Sequence, residues 1–319
     1  MSVSSVIRST GSYLPERILT NKDLEQIVET TDEWIVQRTG IKERHIADEG
    51  EETSVLAIKA ARNALEASGL NATDIDGVIV ATTTPDQSFP SVAVKVQAAL
   101  EMKPGPAFDV QAVCSGFIYA LSVADSMIRS GVMSRVMVVG AEKMSSLLNW
   151  EDRTTCVLFG DGAGAVILEK SEVEQGILST HLYADGRLND LLYTDGGVST
   201  TQSAGHIIMH GKEVFKNAVS LMAEIVQEVL EKNKITPDQI DWLVPHQANL
   251  RIITSTAEKL DMSMDRVVVT VDRHGNTSAA SIPLALDNAV RSGKIQRGQL
   301  LLLEALGGGL TWGAALVRF

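Results

Sequence analysis

The chain has 319 residues, 45% hydrophobic and 21% charged, the balance of a soluble globular protein, which excludes disorder, collagen and coiled coil. Lys and Arg number 28 against 40 Asp and Glu, and the resulting charge of −12 disfavours general binding to nucleic acid or anionic lipid. Cys114 and Cys156 are too few for a disulfide framework and lack metal-ligand spacing, which fits a reducing compartment, the cytoplasm.

The N-terminal stretch MSVSSVIRSTGSYLP has no apolar signal core, and no run reaches the ~18 apolar residues of a membrane span. Helix-period apolar residues then predict a helix over 54–68, and a β-branched run predicts a buried strand over 78–83. The pattern continues with a helix over 116–130, a strand over 136–139, a helix over 213–233 and strands over 242–244 and 267–271. It closes with a helix over 281–292 and a strand over 300–303. Helix ends fall beside Gly69, Gly131 and Gly293. Such alternation is the mark of a layered α/β protein.

The sequence also repeats itself. Asp125, Arg129, Ser130, Gly131 and Arg135 recur as Asp287, Arg291, Ser292, Gly293 and Arg297, an offset of 162. Leu65-Glu66 through Ile75-Asp76 recurs as Leu230-Glu231 through Ile240-Asp241, an offset of 165. Two duplicated halves are expected, 1–170 and 171–319. At the first offset Cys114 falls on Asn276, and the two are expected to face each other across one cleft.

Cys114 sits where a strand-like stretch from Asp109 runs into a helical pattern, and a helix N-terminus favours a thiolate and offers free N–H groups to an oxyanion. Taken alone it reads more readily as a buried, inert thiol. His246 closes the strand ending at Pro245, and Asn276 lies between a predicted strand and helix; each reads equally as a capping or turn residue. Cysteine, histidine and asparagine are also the parts of a papain-like hydrolase, but the spacing matches no papain-type local signature. The glycine clusters at Gly160, Gly162 and Gly164 and at Gly307, Gly308 and Gly309 are neither a Walker motif nor a dinucleotide fingerprint. The triple glycine suits either a tight turn or a close backbone approach to a ligand or catalytic group. His206 and His210 have a zinc-compatible spacing only on a helix, and no third ligand is near.

Seven motifs in order along the whole chain resemble the β-ketoacyl-acyl-carrier-protein synthase III family of thiolase-fold condensing enzymes. They are Gly11-Ser-Tyr-Leu-Pro15, the segment from Asp32 through Trp34 and Arg38 to Gly40, Cys114-Ser-Gly-Phe, Phe159-Gly-Asp-Gly-Ala-Gly164, Pro245-His246-Gln-Ala-Asn249, His274-Gly-Asn276, and Gly307-Gly-Gly-Leu-Thr-Trp312. The resemblance implies a thiolase-like α/β fold in which duplicated halves form five αβαβα layers. It implies an acyltransferase that joins an acyl-coenzyme A primer, acetyl-coenzyme A first, to malonyl-acyl-carrier protein with loss of carbon dioxide, beginning type II fatty acid synthesis. The alternative is a paralogue with a longer primer or a specialised product. No metal and no redox cofactor is implied.

The family's roles carry over residue by residue. Cys114 is the implied nucleophile, His246 and Asn276 the donors to the malonyl thioester carbonyl, and the N–H groups of Cys114 and Gly308 the oxyanion hole. Trp34 and Arg153 match the pair that sandwiches the coenzyme A adenine, and Arg38, Gly211, Phe215, Ala248 and Asn249 match the pantetheine tunnel. Thr83, Phe89, Met144, Phe159, Leu191 and Ile207 match the acyl pocket, with Phe89 on a loop that reaches the partner of a homodimer. Lys212, Lys216, Arg251 and Lys259 match the docking patch for acyl carrier protein, where Glu258 departs from the basic pattern.

Overall fold

The computed structural model describes residues 3–173 and 175–319. In chain order the strands are β1 (Ser4–Tyr13), β2 (Ile18–Thr20), β3 (Glu43–His45), β4 (Gly77–Ala81), β5 (Ala107–Val110), β6 (Arg135–Lys143), β7 (Asp161–Ser171), β8 (Gly176–Ala184), β9 (Leu192–Thr194), β10 (Ile207–Met209), β11 (Trp242–Pro245), β12 (Leu300–Gly307) and β13 (Thr311–Arg318). The α-helices are α1 (Asn21–Leu24), α2 (Asp32–Thr39), α3 (Thr53–Ser68), α4 (Val92–Ala99), α5 (Gly116–Arg129), α6 (Gly211–Asn233), α7 (Leu250–Lys259), α8 (Val271–His274) and α9 (Ser281–Arg291).

One sheet runs β1-β7-β6-β4-β5 and the other β8-β13-β12-β11. In both, the first two pairings are antiparallel and those that follow are parallel. Strand alternation sets the layers. Val78 and Val80 pack outward with α3 and α4, whereas Ile79 and Ala81 pack inward with α5 and α9. In the second sheet Leu301 and Leu303 join that shared inner core, while Leu300 and Leu302 pack outward with α6 and α7. Helices on both outer faces and between the sheets give five layers.

The predicted strand over 267–271 is not formed. Only a single parallel bridge joins Leu243 and Val267, where β5 stands in the first sheet. The buried Gln247 side chain takes the backbone groups a strand would have paired: its Nε2 donates to Val268 O, and its Oε1 accepts from the N–H groups of Thr270 and Val271. Val271 then opens α8.

The repeated residues anchor corresponding structures. Arg129 pairs with Asp125 and Arg291 with Asp287, each one turn apart. Both aspartates also accept from β1 hydroxyls, Ser5 on Asp125 and Thr10 and Ser12 on Asp287. Asp76 accepts from the N–H of Arg135, and Asp241 from that of Leu300. The offset is not constant, however. The 3₁₀ turns Val113–Ser115 and Ser278–Ala280 open α5 and α9 with left-handed Val113 (φ 47°) and Ser278 (φ 49°), an offset of 165. Helix α9 has 11 residues against 14 in α5, so an offset of 162 holds only at the helix ends. The structural counterpart of Cys114 is therefore Ala279, and Asn276 lies before the matching turn.

Candidate active site

Cys114, His246 and Asn276 border one cavity. Cys114 is held in the turn before α5, His246 follows β11 and Asn276 follows α8, so three junctions at one end of the two sheets converge. The cleft expected between Cys114 and Asn276 therefore exists, although the two are not repeat counterparts. The cavity runs between the outer face of the second sheet and the two helices that cover it. Val214, Phe215, Ala218 and Met222 of α6 form one wall, and Ile252, Ile253 and Thr256 of α7 the other. Gly211, Ala248 and Asn249 also line it.

Backbone contacts fix the reacting end. A Cβ on Gly307 would stand 2.6 Å from Cys114 N and 3.0 Å from Ala112 O, so the triple glycine brings β12 directly against the cysteine turn. Gly308 and Cys114 together border a second cavity. Asn276 N donates to Leu158 O at 2.8 Å, and Gly160 N donates to Asn276 O at 3.0 Å, which pins the asparagine between two points of the 158–160 segment. Its Oδ1 accepts from Ser278 N at 2.9 Å, leaving the side-chain NH₂ to donate. The His246 N–H donates to Glu304 O at 2.8 Å.

Burial dominates the electrostatics. It pushes the Cys114 thiol up to about 12, against a hydrogen bond from Ser278 and reinforced by the Glu142 charge. Desolvation thus outweighs the helix terminus, in keeping with the buried thiol that Cys114 taken alone suggested. Burial likewise depresses His246 to about 4, so its imidazole is neutral at pH 7, and its Nδ1 has no hydrogen-bond partner. Cys156 is buried in the outer core of the second sheet. His206 and His210 flank β10, an extended segment, so their spacing is not that of one helix face.

The other expected site residues are partly assembled. Arg153 Cζ lies 5.2 Å and Arg38 Cζ 4.4 Å from the Trp34 ring centroid, so both guanidiniums rest against the indole. Arg38 does not border the cavity; its carbonyl accepts from Asn249 Nδ2 at 3.0 Å, beside the mouth. Lys212 and Lys216 lie in the first two turns of α6, and Arg251 lies over the Phe215 ring at 5.0 Å. Lys259 is at the opposite end of α7 from Arg251, about 12 Å along the axis.

The second cavity, which Cys114 also borders, is lined by Thr83, Met144, Phe159 and Ile207, four of the residues matched to the acyl pocket. Leu191 is not part of it. Its neighbour Leu192 is, and Leu191 packs with Ala218 and Leu310, a cluster that Leu192 also joins. Phe89 does not border its own chain's cavity and is 83% exposed.

Sequence reasoning missed three buried polar residues. Glu142 accepts from Thr82, Thr83, Thr84 and Ser278, linking the β4 end to the Asn276 loop. Gln247 connects the His246 segment to α8. Glu304 borders the cavity itself. A charge beside the apolar run of β6 and a lone one within β12 were the available signals for the glutamates. Among the described residues, no cluster of metal-ligating side chains is found and no helix is long and apolar enough to cross a membrane.

Comparison with known proteins bears on the whole chain. The family described as 3-oxoacyl-[acyl-carrier-protein (ACP)] synthase III matches residues 108–186, and its C-terminal part matches 230–319. The β-ketoacyl-[acyl-carrier-protein] synthase III of Rhodospirillum centenum is 61% identical over 323 residues, covering 100% of each chain. That of Thioalkalivibrio sulfidiphilus is 62% identical over 318 residues, covering 98% of each. The crystal structure of 3-oxoacyl-[acyl-carrier-protein] synthase III from Aquifex aeolicus superposes with a TM-score of 0.95 at 52% identity, covering 99% of this chain and 100% of that one. With five αβαβα layers and identity above one half across its full length, the chain belongs to the β-ketoacyl-[acyl-carrier-protein] synthase III family, acyl-transferring condensing enzymes of thiolase fold.

Proposed function

We propose that this protein catalyses the decarboxylative condensation of an acyl-coenzyme A primer, acetyl-coenzyme A first, with malonyl-acyl-carrier protein, the opening step of type II fatty acid synthesis. The observation that carries the reading is the convergence of Cys114, His246 and Asn276 on one apolar cavity walled by α6 and α7. In the first half-reaction the Cys114 sulfur attacks the primer thioester; the thiol proton leaves with coenzyme A, and the acyl group stays on sulfur. The N–H groups of Cys114 and Gly308 hold the tetrahedral oxyanion, a reading supported by the approach of β12 to the cysteine turn.

In the second half-reaction the malonyl thioester oxygen accepts from His246 and from Asn276 Nδ2. The bond to the carboxylate breaks, carbon dioxide leaves, and the electron pair becomes an enolate held by those donors. The enolate carbon attacks the acyl carbonyl, the bond to Cys114 breaks, and the thiolate takes a proton from solvent. Neutral His246 suits a hydrogen-bond donor better than a base.

The remaining assignments belong to the same proposal. Trp34 and Arg153 hold the adenine, for which Arg153 has to lift from the indole face. Gly211, Phe215, Ala248 and Asn249 line the pantetheine path, with Arg38 at its mouth. Lys212, Lys216 and Arg251 flank that mouth as a docking patch for acidic carrier protein, with Lys259 at its margin. Thr83, Met144, Phe159, Ile207 and Leu192 enclose the primer, and the exposed Phe89 closes the pocket of the partner in a homodimer. The matching strand orders support two halves, 1–170 and 171–319. No metal or redox group is needed, and two free cysteines suit the cytoplasm. Following the two half-reactions separately, by acyl transfer to Cys114 and by release of carbon dioxide, tests the reading. A paralogue with another primer would differ only in the first.

A further inference from the structure

The outer face of β12 carries Leu300, Leu302, Glu304 and Leu306 in turn. The first two belong to the outer core, and the last two border the cavity of Cys114, His246 and Asn276. Glu304 is 1% exposed, and its Oε2 has no hydrogen-bond partner. The Thr256 hydroxyl of α7 engages the carboxyl. Its backbone carbonyl receives the His246 backbone N–H, and both residues border the same cavity. A buried carboxyl with an unused oxygen beside a reaction centre calls for a ligand.

Three observations narrow its role. The His246 Nδ1 and the Glu304 Oε2 each lack a hydrogen-bond partner, so Glu304 is not the carboxylate that orients that imidazole. Burial pushes the Glu304 carboxyl up to about 8, so at neutral pH it carries a proton to donate. Among the described residues bordering this cavity there is no lysine or arginine, so an anion entering it meets no cation. The proposed extender brings such an anion: its thioester oxygen goes to His246 and Asn276, and its carboxylate remains to be seated.

We infer that Glu304 is the contact for the malonyl carboxylate, donating the one hydrogen bond that seats it between β12 and α7. This rests on the proposed condensation. As the carbon–carbon bond breaks, the electron pair passes to the thioester enolate, carbon dioxide leaves, and Glu304 keeps its proton. A neutral donor fits this step. A lysine there would stabilise the ground-state carboxylate more than the transition state, whose charge has moved toward the thioester oxygen.

The test compares Glu304→Leu and Glu304→Gln in the full-length protein, with Cys114 acylation by acetyl-coenzyme A and condensation with malonyl-acyl-carrier protein measured separately. The leucine variant is expected to raise KM for malonyl-carrier protein at least tenfold while changing the acylation rate less than threefold. The glutamine variant, which keeps a donor, is expected to stay within threefold of wild type in both. Equal losses in the two half-reactions, or a glutamine variant as poor as leucine, would overturn the inference and leave Glu304 structural. If the leucine variant does not fold, Glu304→Asp replaces it, because withdrawing the hydroxyl by one methylene has to raise the same KM; an unchanged KM overturns the inference. Failure of wild-type Cys114 to acylate would overturn the condensation reading instead.

Discussion

The backbone N–H of Ser278 donates to Asn276 Oδ1 at 2.9 Å, and this single bond decides what Asn276 offers a substrate. With its carbonyl oxygen occupied, the amide turns its NH₂ outward as a donor. Asn276→Asp keeps the size and the bond from Ser278 but presents an acceptor where the enolate oxygen forms. Condensation is expected to fall at least ~100-fold, the loss typical of a removed oxyanion donor, while acylation of Cys114 falls far less. Single-turnover mass spectrometry of both steps checks it.

Gly307 is the point where the two halves of the site touch. Its missing Cβ would stand 2.6 Å from Cys114 N and 3.1 Å from Ser115 N, and backbone cannot yield as a flexible side chain does. Gly307→Ala is expected to cost about 1–3 kcal/mol of stability by overpacking. Displacement of the cysteine turn is expected to slow acylation at least tenfold. Thermal melting and an acylation time course measure the two effects, and a wild-type acylation rate would contradict the prediction.

Trp34 carries two guanidiniums at the outer end of the proposed coenzyme A path. Trp34→Ala is expected to raise KM for acetyl-coenzyme A about tenfold with kcat little changed, since adenine contacts act equally in ground and transition states. Malonyl-carrier protein, which has no adenine, is expected to keep its KM. A shortened acyl-pantetheine primer tells whether the effect belongs to the nucleotide end.

The buried carboxyls and imidazoles set opposite pH dependences. Glu304, raised from 4.5 to about 8 by burial, contributes stability that is full below about 4.5 and lost as pH rises through 8. His246 and His274, each depressed to about 4 mainly by burial, lose stability as pH falls from 6.5 toward 4. Each pKa unit corresponds to ~1.4 kcal/mol, so each group is worth a few kcal/mol across its window. Glu304→Gln removes the alkaline loss, and its melting temperature relative to wild type is expected to climb between pH 5 and pH 8.5. A constant difference across that range would contradict the assignment.

What the sequence made legible follows from which forces act locally. The strand and helix periods over 54–68, 78–83 and 300–303 reappear because burial on one or both faces is written residue by residue. A change of period marked Cys114, His246 and Asn276 as candidates, and only the resemblance of the surrounding motifs assigned them roles. The 267–271 run misled because a side chain 20 residues earlier, Gln247, captures its backbone. Leu192 borders the second cavity and Leu191 does not, a one-residue difference that composition does not mark. The helix terminus at Cys114 is visible in sequence, whereas the burial that raises its thiol is a tertiary property.

Intact-mass spectrometry after incubation with a panel of acyl-coenzyme A thioesters, wild type beside Cys114→Ala, followed by a chase with malonyl-acyl-carrier protein, separates a condensing enzyme from every alternative. The expected result is a gain of one acyl group that requires Cys114, is absent from Cys156 and disappears in the chase as β-ketoacyl-carrier protein and carbon dioxide form. Folded wild-type protein that takes no acyl group from any primer, or that holds the label at another residue, would contradict it.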